Sequence, residues 1–229
     1  MADDPREAQK RAAAGAAATG IEGGMLVGLG TGTTAAYLIE AVARRVRQGL
    51  TIRTVASSIA TADKAARLGL APLDMGDIAA VDLYIDGVDA IDPAFRAIKG
   101  GGGAMLREKI VAASAARFVA IADETKAVPT IGGQSVPLEI LPFARASVEA
   151  RIARLGGTLA WRNGQSDQDN LLADAVFPKS FALPDLAAAL CVIPGLLGHG
   201  LFLSEIDALI LGTIAGVVKS ERNASVTKD

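Results

Sequence analysis

The sequence predicts an α/β fold, a parallel sheet covered by helices on both sides with a smaller α+β unit inserted into it. Three observations predict it. Short apolar runs bounded by glycine alternate with stretches whose apolar residues recur at helical spacing, from the N-terminus to about Gly133. Beyond Gly133 the texture changes to a strand, a helix, two strand-like runs and a second helix, and apolar segments resume from Leu201. With 229 residues, 51% hydrophobic and 21% charged, the chain can bury a sizeable core. The expected division is a main unit of residues 1–133 and 201–229 and a small unit of residues 134–200.

Each element has a local reason. Asp4 before Pro5 starts a helix, since the aspartate oxygen caps free N–H groups and proline is tolerated in the first turn; it should run to about Ala18. Residues 25–29 read as a buried strand. A glycine turn leads from it to a helix over 37–47, where Leu38, Val42 and Val46 share one face. Strand 52–55, helix 61–68, a strand starting at 70–73, and strands 81–85 and 118–122 follow. Between the last two lies a helix on which Leu106, Ile110 and Ala113 share a face. In the small unit, strand 136–140 precedes a helix over 145–155 with Val148, Ile152 and Leu155 on one side. Strands 158–162 and 170–177 and a helix over 185–192 complete it. The segments 206–211 and 214–218 return to the main unit, and the polar tail from Ser220 is expected to fray.

Composition excludes several classes of function. A net charge of −2 and 4% aromatic residues supply neither the basic stripe nor the stacking platform of a nucleic-acid surface. One cysteine, Cys191, and one histidine, His199, can form neither an internal disulfide nor a zinc site. No uncharged apolar run reaches membrane-spanning length, and the charged N-terminus lacks a signal-peptide core; a reducing cytoplasm is the expected location.

Three segments at strand ends carry groups suited to chemistry. In IKGGGGAMLREK, from Ile98 to Lys109, a lysine and four glycines precede Arg107, Glu108 and Lys109 on a helix. Glycines there can turn bare N–H groups toward an anion. Glu108, about 200° around the helix from Leu106, is expected to point away from the apolar face and toward a cleft. The bland alternative is a solvated charged face. GLGTGTT, from Gly28, puts three hydroxyls at a helix N-terminus and reads as a phosphate cradle. It is neither a dinucleotide fingerprint, which would need glycine at Thr33, nor a P-loop. In Asp86-Gly87-Val88-Asp89, two carboxylates could bind a metal, bind sugar hydroxyls or cap a turn, metal being the least supported. Lys126 would reach the same rim. His199 has no nucleophile motif beside it, and Cys191 and Trp161 read as packing residues.

Taken together the motifs resemble the type A ribose-5-phosphate isomerases. The likeness runs from GLGTGTT at Gly28 through YIDGVD at Tyr84, IKGGGGAMLREKIVA at Ile98 and IADETK at Ile121. It continues as VPLEILPFAR at Val136, IPG at Ile193 and HGLF at His199. The resemblance implies a Rossmann-like domain with a small α+β domain, and a homodimer or dimer of dimers working without metal or other cofactor in the non-oxidative pentose phosphate pathway. It implies that a sugar phosphate binds Thr31, Gly32, Thr33 and Thr34, then Asp86, Gly87, Val88 and Asp89, and Lys99, Gly100, Gly101 and Gly102, with Lys126 contributing.

Glu108 matches the family's proton-abstracting glutamate. It would carry a proton from C2 of ribose 5-phosphate to C1 through an enediolate, giving ribulose 5-phosphate, while Lys99 and the glycine amides offset the oxyanion. Asp86 or Asp89 would handle the hydroxyl protons. Ala90 stands where the family usually has glutamate, Thr33 where it has serine, and Ser204-Glu205-Ile206 is unusual. The rival readings are a sugar-phosphate sensing domain without turnover, which Ala90 favours, and a nucleotide-binding oxidoreductase, which the broken fingerprint weakens.

Overall fold

The computed structural model describes residues 4–222. Asp4 caps α1 (Pro5–Ala18) by accepting the Arg6 N–H at 3.0 Å. Strand β1 (Leu26–Leu29) turns into α2 (Thr33–Arg47), which begins at Thr33 rather than Tyr37 because Gly32, at φ +97°, redirects the chain straight into a helix. Next come β2 (Arg53–Ala56), α3 (Ile59–Arg67), β3 (Leu83–Gly87), β4 (Ala90–Ile91), β5 (Ala97–Ile98), α4 (Met105–Ser114) and β6 (Phe118–Asp123). The chain continues through β7 (Val136–Ile140), α5 (Arg145–Arg154), β8 (Thr158–Gln165), β9 (Leu171–Val176) and α6 (Leu183–Cys191). It closes with β10 (Leu196–His199), β11 (Leu201–Phe202), β12 (Ala208–Thr213) and β13 (Gly216–Glu221).

The main sheet runs β13-β12-β6-β3-β1-β2, parallel except where β13 pairs antiparallel with β12. Strand side chains alternate between two cores, as a period of two requires. Val27, Leu29, Leu83, Ile85, Val119 and Ile121 pack against α1 and α2. Leu26, Tyr84, Phe118 and Ala120 pack against Val111 and Ala112 of α4 and against Phe202. The Tyr84 and Phe118 rings lie 4.6 Å apart, an arrangement that adds to their burial energy. Gly28 makes room for it, since a Cβ there would sit 2.7 Å from the Tyr84 ring. A second, antiparallel sheet, β10-β7-β9-β8, is covered by α5 and α6 through Val148, Ile152, Leu186 and Leu190. The short sheet β11-β5-β4 links the two, with Ile98 and Leu201 in the core of the antiparallel sheet and Ala97 and Phe202 in the core between the main sheet and α4.

Several expectations are corrected. Residues 70–73 form no strand, because Pro72 has no N–H to donate and only Leu73 bridges Val55. On α4 the face holding Leu106, Ile110 and Ala113 is not the buried one: Ile110 is 48% exposed, whereas Met105, Glu108, Val111 and Ala112 are buried. Strand β13 returns to the main sheet but is exposed throughout, as an edge strand can be. Ser220 does not fray but pairs with Leu209, and the Arg222 guanidinium donates to the Ile206 and Phe95 carbonyls; residues 223–229 lie outside the described residues. Cys191 is exposed and not a core residue.

Candidate active site

Strands β6, β3 and β1 are adjacent and parallel, so the loops at their carboxyl ends open side by side. Thr31 to Thr34 follow β1, Val88 and Asp89 follow β3, and Lys126 lies in a 3₁₀ turn after β6. These line one pocket with Gly87, Lys99 to Gly102, and Glu108. Of the residues that the resemblance assigns to the sugar phosphate, Asp86 alone lies behind the wall. The pocket also contains Lys10 of α1, which the sequence reading did not single out.

At one end a buried charge relay is built around Lys99. Its Nζ donates to Asp86 Oδ2 at 2.7 Å and to the Gly87 carbonyl at 2.5 Å, and lies 3.5 Å from Glu108 Oε2. Burial works against the Lys99 charge, but Asp86 and Glu108 outweigh it and hold the ammonium above its ordinary range. Asp86 is wholly buried. Its Oδ1 accepts from the N–H groups of Thr31 and Gly87, and its Oδ2 also accepts from the Tyr84 hydroxyl. Burial, then the charges of Asp86 and Glu108, push the Tyr84 hydroxyl well up. Asp89 is in the wall itself, with Oδ2 accepting the Gly101 N–H at 2.8 Å.

Glu108 is 4% exposed, and its Oε2 has no hydrogen-bond partner among the described residues. Desolvation raises its pKa to about 7; Lys99 opposes the rise, while Asp86 and Asp89 add to it. A carboxylate paired with a single ammonium and with a pKa near neutrality can both take and return a proton. Its neighbours on α4 are not a solvated face. Arg107 pairs with Asp167 at 3.1 Å, and Lys109 with Glu205 at 3.1 Å.

The other end is suited to an anion. Helix α2 starts at Gly32 without a side-chain cap, so its first N–H groups face outward beside Thr33 and Thr34. Thr31 contributes differently from the expectation. Its hydroxyl joins those of Ser57, Ser58 and Thr61 at 2.9 to 3.2 Å, and its N–H is taken by Asp86. Lys10 and Lys126 flank this end, tied together by a hydrogen bond from Gln9 Nε2 to Glu124 Oε1 at 2.6 Å. Only helix packing brings Lys10 here, and an unremarkable lysine on an alanine-rich helix gives no local signal.

Ala90 pairs with Ile98 and packs toward the second core, not into the pocket. His199 is buried, with its pKa lowered to about 4 by desolvation and by Lys109, and lies outside the pocket; its Nε2 is 3.4 Å from Cys191 Sγ. Gly200 explains the motif around it, because a Cβ there would lie 2.2 Å from the Lys99 carbonyl oxygen.

The family model of ribose 5-phosphate isomerase A (phosphoriboisomerase A) matches residues 53–216. The chain belongs to that family. It is 44% identical to the ribose-5-phosphate isomerase A of Sphingopyxis alaskensis, over 89% of this chain and 92% of that one. Among solved structures it is similar to a D-ribose-5-phosphate isomerase in complex with phospho-erythronic acid, with a TM-score of 0.90 and 32% identity, covering 95% of this chain and 99% of that one. The ribose 5-phosphate isomerase A of Methanocaldococcus jannaschii matches with a TM-score of 0.89 and 30% identity, over 94% and 99% of the two chains. The family fold has the parallel central sheet described above, and the matched residues 53–216 include Gly87 to Asp89, Lys99 to Gly102, Glu108 and Lys126 of the pocket.

Proposed function

We propose that this protein interconverts D-ribose 5-phosphate and D-ribulose 5-phosphate, with Glu108 carrying a proton between C2 and C1 through an enediolate. The observation that carries the reading is the buried carboxylate of Glu108, 3.5 Å from the Lys99 ammonium, in a pocket whose far end suits a phosphate. Moving hydrogen between adjacent carbons needs one base that accepts the proton and then returns it, and a pKa of about 7 fits both steps. Once Glu108 is protonated, the Lys99 ammonium loses one of its two carboxylate partners. Its charge then serves the oxygen on which negative charge develops.

The two aspartates divide their work. Asp89, in the wall, is the group for hydroxyl protons during ring opening. Asp86 acts from behind by fixing Lys99 and the Thr31 turn. Lys10, Lys126 and the α2 N-terminus hold the phosphate, aligning the reacting carbons through a group that does not react. The sensing alternative, which rests on the carboxylate missing at Ala90, predicts binding of ribose 5-phosphate without ketose formation. Residues 134–200 act as the small domain, and the working unit is a homodimer or dimer of dimers in the cytoplasm, on the strength of the family resemblance. Sedimentation of the purified chain tests the assembly.

Incubation with ribose 5-phosphate and detection of ketose tests the activity. Wild type should turn the sugar over, and Glu108→Gln should lose about 10²-fold to 10⁴-fold in kcat, the range for a positioned base. A folded Glu108→Gln protein with wild-type turnover removes Glu108 from the role of base.

A further inference from the structure

One cation near the pocket has no part in the account above. The Arg162 side chain in β8 is fastened to Asp174 of the paired β9, with Nε donating at 2.7 Å and Nη2 at 2.6 Å. Its remaining nitrogen, Nη1, reaches across to the glycine run and donates to the carbonyls of Gly100 at 2.8 Å and Gly101 at 3.2 Å. The run has no side chains of its own to set its path. Gly100 sits at φ +102°, where a Cβ would lie 2.4 Å from that of Met105.

Peptide planarity turns this contact into an aiming device. Within one trans peptide the C=O and the following N–H point in opposite directions. The Gly100 carbonyl accepts from Arg162 and, in a local turn, from the Gly103 N–H at 3.0 Å, and the N–H of the same peptide, that of Gly101, goes to Asp89 in the pocket wall. By the same rule, the Gly101 carbonyl held by Arg162 turns the Gly102 N–H away from the guanidinium. That N–H has no acceptor among the described residues, and Gly102 lines the pocket. A cation on the carbonyl also polarises the peptide and strengthens its N–H as a donor.

We propose that Arg162, anchored by Asp174, is a positioning residue for the isomerisation, fixing the Gly100–Gly101 and Gly101–Gly102 peptide planes so that the Gly102 N–H meets the developing oxyanion. This rests on the reading of the pocket as an isomerase site. It acts on the reacting end alone, so binding of the phosphate end should not depend on it.

The test compares Arg162→Met, Arg162→Lys and Asp174→Asn with wild type by steady-state isomerisation of ribose 5-phosphate, inhibition by inorganic phosphate and by phospho-erythronic acid, and thermal melting. Arg162→Met should lower kcat by about 10-fold to 100-fold, short of the ~10²-fold to 10³-fold lost when an oxyanion donor is removed outright. Its KM and phosphate inhibition should stay within about twofold, because uniform binding is untouched. Phospho-erythronic acid should weaken in step with kcat. Arg162→Lys should recover part of the rate, and Asp174→Asn should fall between.

An Arg162→Met protein with wild-type kcat overturns the proposal. So does one whose kcat, phosphate inhibition and melting temperature fall together, which marks a merely structural contact. If Arg162→Met does not fold, Arg162→Lys and Asp174→Asn decide by the same split between kcat and phosphate inhibition. Wild type without turnover would instead overturn the underlying reading of the pocket.

Discussion

Burying the Glu108 carboxylate in the pocket wall, with the Lys99 ammonium 3.5 Å from Oε2 as its compensating charge, costs desolvation that shows in its titration. Its pKa is raised from 4.5 to about 7, so the folded state binds its proton more tightly than the unfolded state does. The associated stability is fully present below pH 4.5 and is lost as pH rises through about 7. Glu108→Gln should therefore melt higher than wild type at pH 8, and the gap should close near pH 4. Melting curves across that range check it. Activity runs the other way. The base works deprotonated, so kcat/KM should rise with pH along an acid limb centred near 7, and a limb near 4.5 would contradict the assignment. Helical spacing from Leu106 does point Glu108 toward a cleft, yet for a mistaken reason. Burial follows Met105 and Ala112, and Ile110 is left half in water, because the apolar partners lie on sheets that local spacing cannot reveal.

Between elements, packing of α1 on β12 sets where Lys10 stands. Gly212 of β12 permits it, for a Cβ there would lie 2.0 Å from the Gln9 carbonyl oxygen, one residue from Lys10. Gly212→Ala should push α1 outward, lowering the melting temperature and raising the KM for ribose 5-phosphate several-fold, with a smaller effect on kcat. Steady-state kinetics with a melting curve separate the two losses. The long elements were legible because apolar residues recur at helical spacing over α2 and α5 and form short continuous runs over β3 and β6. Two-residue strands such as β4, β5 and β11 carry no period at all. Their pairing depends on partners as distant as Leu201 and Ile98, which no local pattern links.

Across the whole molecule, the order β6-β3-β1 makes three loops from separate parts of the chain into one pocket. Alternating strands and helices predict a parallel sheet with these segments at its strand ends, but not which strands are neighbours; the motif resemblance is what assigns them to one site. The pocket has a division of labour that kinetics can read. Lys10→Ala and Lys126→Ala should each raise KM and weaken inhibition by inorganic phosphate about 10-fold, with kcat less affected, since they hold a group present in ground and transition states alike. Equal losses of kcat would move those lysines to the reacting end.

The central claim is that the Glu108 carboxylate itself carries hydrogen between the two carbons. Ribose 5-phosphate turned over in heavy water and followed by proton NMR tests it most directly. Wild type should exchange deuterium into the C2 position of the aldose and C1 of the ketose, and folded Glu108→Gln protein should slow both exchange and ketose formation by the same factor, about 10²-fold to 10⁴-fold. Carbon exchange at the wild-type rate in that variant, with phosphate inhibition intact, would contradict it.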